Sequence, residues 1–179
     1  MLAEAAELFE LLVEQTDHLH RPLGIEAVPL QVHARYTRTE ILAAFDVGDG
    51  VRAPTWQSGV WWDPASRSDL FAFTLDKTVG GFSPTTRYRD YAMSRDRIHW
   101  ESQSMTAEES ETGQRYIRSS LDGTNVVLFA RLRADDRAFW CLGRATYVRH
   151  AGSRPIAFEW QLQTPLPADL YLSFAAAVA

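Results

Sequence analysis

The sequence predicts a mainly β (α+β) domain, a partly open antiparallel β-barrel with one or two helices packed on it. Three observations predict it. Phe71, Phe73 and Leu75 alternate with Ala72 and Thr74, and Ile156, Phe158, Trp160 and Leu162 alternate with Ala157, Glu159 and Gln161, the period of strands buried on one face. Val126 to Leu132 is a β-rich run. Turn signals at Asp63-Pro64, Gly80-Gly81, Asp122-Gly123, Asp135-Asp136 and Gly152 space about six to eight short strands as antiparallel barrels and sandwiches do. No alternation of strand with helix suggests a parallel sheet.

The elements follow in order. Leu2, Ala5, Leu8, Phe9, Leu12 and Val13 recur at helical spacing opposite Glu7, Glu10 and Glu14, so residues 1–15 read as an amphipathic helix that must pack on something. His18 to Pro29, with two prolines and a glycine, reads as a linker, and places a boundary near residue 28. Thr37-Arg-Thr-Glu40 has the form of a capping box before the apolar face of Ile41, Leu42 and Phe45, and the glycines and aspartates of Asp46 to Gly50 stop that short helix. Further strands are expected at Gly59–Trp62, Arg97–Ser104, Gln114–Arg118 and Ala138–Val148, the last broken at Gly143. The organisation is an acidic helix and linker over 1–28, a β-rich domain over 29–168 and a C-terminal tail over 169–179.

Composition bounds the function. The chain has 179 residues, 46% apolar, 12% aromatic and 23% charged, enough to bury a single core. Its longest apolar stretch, Leu170 to Ala179, falls short of a membrane span of about 18 residues. The acidic N-terminus lacks the character of a signal peptide, so the expected location is the cytoplasm, away from the membrane. Cys141, the single cysteine, sits in an apolar run and reads as a small buried residue. Residues 1–28 hold six acidic residues against Arg21 alone, which accounts for the whole net charge of −5. The neutral remainder carries sixteen arginines and one lysine, Lys77. Arginine suits bidentate contact with phosphate and guanine, and the same bias follows from a GC-rich genome without any binding.

Several chemistries lack their residues. Histidines at 18, 20, 33, 99 and 150 are scattered, and no HExxH or cysteine pair completes a zinc site. GxSxG, GxxxxGK[ST] and GxGxxG are absent, and Asp76 and Lys77 would point to opposite faces of a strand, unlike a nuclease centre. The expectation is a binding protein: no enzyme, no cofactor, no metal.

The segment Phe82 to Ser104 is chemically dense. Arg87, Arg89, Arg95 and Arg97 interleave with Tyr88, Tyr91, His99, Trp100 and Gln103, mixing phosphate donors with stacking faces and hydrogen-bonding amides. Equally, strand aromatics belong to cores, and arginines beside Asp90 and Asp96 form surface ion pairs. Trp61 and Trp62 must point to opposite faces of a strand, so only one enters the core. The candidate base-binding residues are Trp56, Trp61, Tyr88, Asp90, Tyr91, Trp100 and Gln103, with Asp90 accepting from a cytosine amine. The candidate phosphate contacts are Arg35, Arg38, Arg87, Arg89, Arg95, Arg97 and Arg115.

Ordered blocks carry a resemblance: PLQVHARYTRTEILAAF over 29–45, GVWWD over 59–63, DLFAFTLDK over 69–77, FSPTTRYRDYA over 82–92, HWESQS over 99–104, TGQRY over 112–116, Leu142-Gly143 and GSRP over 152–155. Over residues 29 to about 167 the chain resembles the C-terminal domain of unknown function of bacterial superfamily 2 helicases. These include modification-dependent (type IV) restriction proteins that join a phospholipase-D-type nuclease to the helicase. The resemblance implies an SRA/PUA-like style of fold and recognition of modified double-stranded DNA, with 5-methylcytosine or 5-hydroxymethylcytosine as the marks and base flipping as the route. It implies helicase and nuclease domains as partners in cis or trans, and an excised fragment rather than a free-standing reader. A methyl group alone adds about 0.8 kcal/mol, so shape fit must supply the remaining selectivity. Two rivals remain, a protein-interaction or autoinhibitory module and a reader of another mark such as phosphorothioate.

Overall fold

Thr37 and Glu40 fix the start of the first complete helix, as their spacing predicts. In the computed structural model, which describes residues 4, 5, 7–9, 12, 19–48, 54–76 and 90–178, the Thr37 N–H donates to Glu40 Oε2 at 2.7 Å and the Glu40 N–H to Thr37 Oγ1 at 3.3 Å. This capping box opens α1 (Arg38–Ala44). Residues 4, 5, 7–9 and 12 are also helical.

The alternating segments become strands. β1 (Arg21–Pro22) and β2 (Gln31–Val32) form a small two-stranded sheet. The main sheet has eight strands, β3 (Arg35–Thr37), β4 (Val60–Asp63), β5 (Ser68–Thr74), β6 (Tyr91–Ala92), β7 (Arg97–Glu101), β8 (Asn125–Arg131), β9 (Ala138–Ala151) and β10 (Ala157–Leu162). Its order is β4-β5-β8-β9-β10-β7-β6, with β3 paired to the start of β9. β4 and β6 are its two ends, and among the described residues they do not pair, which leaves the barrel open. Every pair is antiparallel except β5–β8. That parallel pair corrects the all-antiparallel expectation. The chain between β5 and β8 contains β6, β7, α2 (Glu111–Ile117) and α3 (Ser119–Asp122), long enough for the crossover that parallel pairing demands.

Each face of the sheet carries a core. Phe71, Phe73, Val126 and Leu128 face one of them, with Trp100, Phe158 and Trp160 from β7 and β10, Tyr116 from α2, and Leu170 and Phe174 from α4 (Ala168–Ala176). Leu70, Ala72, Val127 and Phe129 point the other way, toward Leu23, Leu30, Val32, Ile41, Leu42, Phe45 and Trp56. Cys141 is fully buried in this second core, and burial pushes its thiol up to about 12.

Four expectations are corrected. Gln114–Arg118 is helical, because the Ser110 side chain caps α2 by accepting from the Gly113 N–H at 3.0 Å. Gly113 is required there, since a Cβ would lie 2.2 Å from the Ala107 carbonyl oxygen. Gly143 does not break β9. At φ +90 it sits beside a bulge, against Val32, and the strand runs on to Ala151. The stretch read as a linker packs, with Leu23 only 4% exposed. The stretch read as a tail forms most of α4, anchored by Leu170 and Phe174. The Gly80-Gly81 turn lies outside the described residues.

Candidate nucleic-acid interface

Strand period places the polar residues of β6, β7, β10 and β9 on the face opposite the first core. The cross-strand register aligns Tyr91 with His99, His99 with Glu159, and Glu159 with Arg149, a row across four strands. At one end the Tyr91 and His99 rings stack at 4.7 Å with 14° between planes. At the other, Arg149 donates to Glu159. Beside this row, Arg97 Nε donates to Gln161 Oε1 at 2.6 Å, and Arg97 Nη1 lies 3.8 Å from Glu159. Gln161 Nε2 in turn donates to Asp96 Oδ2 at 2.9 Å, and Ser94 Oγ donates to Asp96 Oδ1 at 2.6 Å.

The electrostatics follow from those contacts. The Arg149 hydrogen bond and charge, with Arg97 and His99 behind them, hold the Glu159 carboxyl below its ordinary range. Ser94 and Gln161 do the same for Asp96. Arg149 is raised by Glu159. The result is a half-open surface on which two guanidiniums are held at strand spacing beside a stacked aromatic pair. Such a surface can hydrogen-bond successive phosphates and present a ring edge to a groove.

The structure disperses the candidate residues. Tyr91 and Arg97 share this face, with Arg95 in the adjoining β6–β7 turn, its Nε donating to the Leu166 carbonyl at 2.7 Å. Gln103 closes the turn after β7, its carbonyl accepting from Thr106 N–H at 2.9 Å. Tyr88, Arg87 and Arg89 lie outside the described residues. Trp100 is a correction: 3% exposed, it stacks on Phe71 at 4.1 Å, with the Tyr116 ring edge-on, and no face is left for a base. Asp90 is also buried, and its Oδ1 accepts from the Glu101 N–H at 3.0 Å, so a main-chain donor already engages the carboxylate expected to meet cytosine. Trp56 lies in the second core with its ring 6.5 Å from that of half-buried Trp61. Arg38 stacks between Trp56 and Phe139, donates to the Trp56 carbonyl, and is lowered by burial and by Arg131, which fits a core cation better than a phosphate contact. Arg35 pairs with Asp136 at 3.3 Å over the Trp140 ring. Arg115 grips Asp69 and covers Trp62 at 4.4 Å, which takes it away from solvent phosphates.

Glu159, Gln161 and Arg149 were missed as site residues. For Glu159 and Gln161 the signal was present in the outward positions of the alternation at 157–162, which served only to identify a strand; Arg149 joins them only through the β9–β10 register. Among the described residues, no group of three His, Cys, Asp or Glu side chains is arranged to hold a metal ion, and no helix is long and apolar enough to cross a membrane.

Fold and surface together define a mainly β domain with an open eight-stranded sheet and one face on which two arginines, paired with Glu159, lie beside a stacked Tyr91–His99 pair. The chain belongs to the family described as "Domain of unknown function (DUF3427)", whose model matches residues 30–174. Among solved structures it is similar to the SRA domain of SUVH5 in complex with fully methylated CG DNA, at 14% identity and a TM-score of 0.48, over 83% of this chain and 96% of that one. It is also similar to Arabidopsis thaliana SUVH6 in complex with SAM, at 13% identity and a TM-score of 0.48, over 83% of this chain and 28% of that one. Likenesses of this strength carry no inference about function. No curated protein matches the sequence.

Proposed function

We propose that this domain is a reader of modified double-stranded DNA, recognising 5-methylcytosine or 5-hydroxymethylcytosine, and that it binds its target without transforming it. The observation that carries the reading is the row Tyr91–His99–Glu159–Arg149 with Arg97 beside it, an open sheet face that pairs aromatic and guanidinium groups. The order of the sequence blocks supports the same reading. The domain would deliver DNA to helicase and nuclease partners in cis or trans, as its resemblance to modification-dependent restriction proteins implies.

The test is a shift assay on matched duplexes that are unmodified or carry 5-methylcytosine, 5-hydroxymethylcytosine, N6-methyladenine or phosphorothioate. The reading expects preferential retention of a cytosine mark, with Arg97→Gln and Arg149→Gln each weakening every duplex and reducing the salt slope by about 1. Preference for phosphorothioate or methyladenine would reassign the mark, and no binding to any duplex would end the reading.

A second reading, as an interaction module, is favoured by one observation. Leu8, Phe9, Leu12 and Leu19 are 59–68% exposed on the acidic N-terminal segment, an apolar surface suited to protein rather than DNA.

A further inference from the structure

Trp56 and Trp100, expected to wall a base pocket, are spent on the core, yet a different cavity of about 600 Å³ opens on the sheet, within the range of small-ligand sites. Three chain segments frame it: the β1–β2 loop at Gly24–Val28, the end of α1 at Ala44–Asp46, and the β4–β5 turn at Asp63–Ser66; Asn125 and Arg144 complete its wall. Ala27, Asp46 and the neighbouring Arg67 hold φ of 60, 53 and 50, left-handed conformations that non-glycine residues adopt only when their surroundings impose them.

Two polar groups in this cleft have unused capacity. Asp63 is 5% exposed, and its Oδ2 accepts from the Ser66 N–H at 2.9 Å and from Ser66 Oγ at 2.5 Å. Its Oδ1 receives no hydrogen bond among the described residues, although the side chain lines the cavity. Arg144 is half-buried and forms no ion pair among the described residues, although Asp63, Glu26 and Asp46 line the same cavity. Its guanidinium makes one long hydrogen bond, 3.4 Å, to the Gly24 carbonyl. Arg144 and Asn125 also line an adjoining groove of about 200 Å³ that presents Ser120, Thr124 and Thr146. The cavity therefore offers a buried acceptor beside the apolar walls of Ile25, Val28 and Phe45, then a cation followed by hydroxyls. That sequence of groups matches a planar heterocycle with an exocyclic amine, joined through a sugar to a phosphate.

The cleft also lies where DNA on the sheet face would reach it. Arg144 pairs with Val127, a residue of the second core, so its side chain leaves β9 on that side. Thr146, two residues on, points the same way and pairs with Gln161, the partner of Arg97 beside the row.

We propose that this cleft seats the extruded nucleotide, with Asp63 Oδ1 accepting from the cytosine amine, Ile25, Val28 and Phe45 packing the ring and its 5-substituent, and Arg144 meeting the flanking phosphate. Glu26 and Asp46, exposed on the rim, disfavour entry of bare backbone and leave the amine edge as the acceptable lead. The proposal rests on the reader function above.

The experiment measures anisotropy of 5-methylcytosine and unmodified duplexes with the wild-type chain, Ala65→Trp, which crowds the cleft from an exposed position, and Arg144→Gln, with circular dichroism to confirm folding. Expected is an about tenfold loss on the modified duplex and a change under about twofold on the unmodified one, for both variants. Wild-type discrimination that survives in both folded variants overturns the cleft and leaves the reader function standing. A wild-type chain that does not discriminate overturns both.

Discussion

Arg115 closes on Asp69 through two hydrogen bonds of 2.8 Å, one from Nε and one from Nη2, and so pins α2 to the second strand of the main sheet. Asp69 has a side chain only 1% exposed, and the Arg115 guanidinium also covers the Trp62 ring. Burial raises the Asp69 carboxyl while Arg115 offsets part of that rise, and Asp69 raises Arg115 in return. Removing one partner leaves a buried charge alone. Arg115→Met is expected to cost about 3 kcal/mol in chemical denaturation, more than a surface arginine would. Folded Arg115→Met should keep its DNA affinity, measured by anisotropy at a temperature well below its melting point.

Asp90→Asn separates two roles for one carboxylate. In the structure its Oδ1 holds the Glu101 N–H on the sheet's last long strand, so the variant is expected to lose about 1 kcal/mol of stability, read by urea denaturation. Modified and unmodified duplexes should weaken equally. A selective loss on modified DNA, without change in stability, would return Asp90 to the base pocket.

How much of this was legible follows residue by residue. The Thr37–Glu40 capping box and the alternation from Ile156 to Leu162 were readable because each depends on neighbours in sequence. The β5–β8 pairing was not, because parallel strands meet through a long crossover whose path no local pattern specifies. Gln114–Arg118 read as a strand because its β-formers were weighed without the Ser110 cap that starts the helix. At the site, the contrast between Tyr91 and Trp100 is instructive: both are aromatics in one dense segment, and only the register of β6 on β7 sends one outward and the other into the core. The cleft was invisible, since its walls lie far apart in the chain.

Acid should destabilise the fold through the polar row. Glu159 and Asp96 have folded-state pKa values below their unfolded ones, so their contribution is present above the ordinary carboxylate range of about 4 and is lost as pH falls through the depressed values. Asp69 works with the opposite sign, because its folded value is raised. Thermal melts from neutral pH downward should fall below about pH 4, and the double variant Glu159→Gln, Asp96→Asn should flatten that fall.

Cys141 should be inert in the native chain. Full burial and a thiol raised to about 12 leave almost no thiolate at pH 8, so a colourimetric thiol reagent is expected to find no reactive cysteine until denaturant is added, and then one. Rapid native labelling would show that the second core opens.

Deleting residues 1–15 should leave DNA affinity unchanged or raise it, since that segment is acidic and its described apolar side chains, Leu8, Phe9 and Leu12, are exposed. Loss of affinity in a folded deletion would place the segment in the interface.

The central claim, that this domain reads a cytosine mark, meets its most direct test in an equilibrium competition at one fixed salt concentration. A labelled 5-methylcytosine duplex bound to the chain is displaced by unlabelled duplexes of identical sequence, with and without the mark. The account predicts that the marked competitor displaces at a concentration about tenfold lower than the unmarked one. Superimposable displacement curves would contradict it.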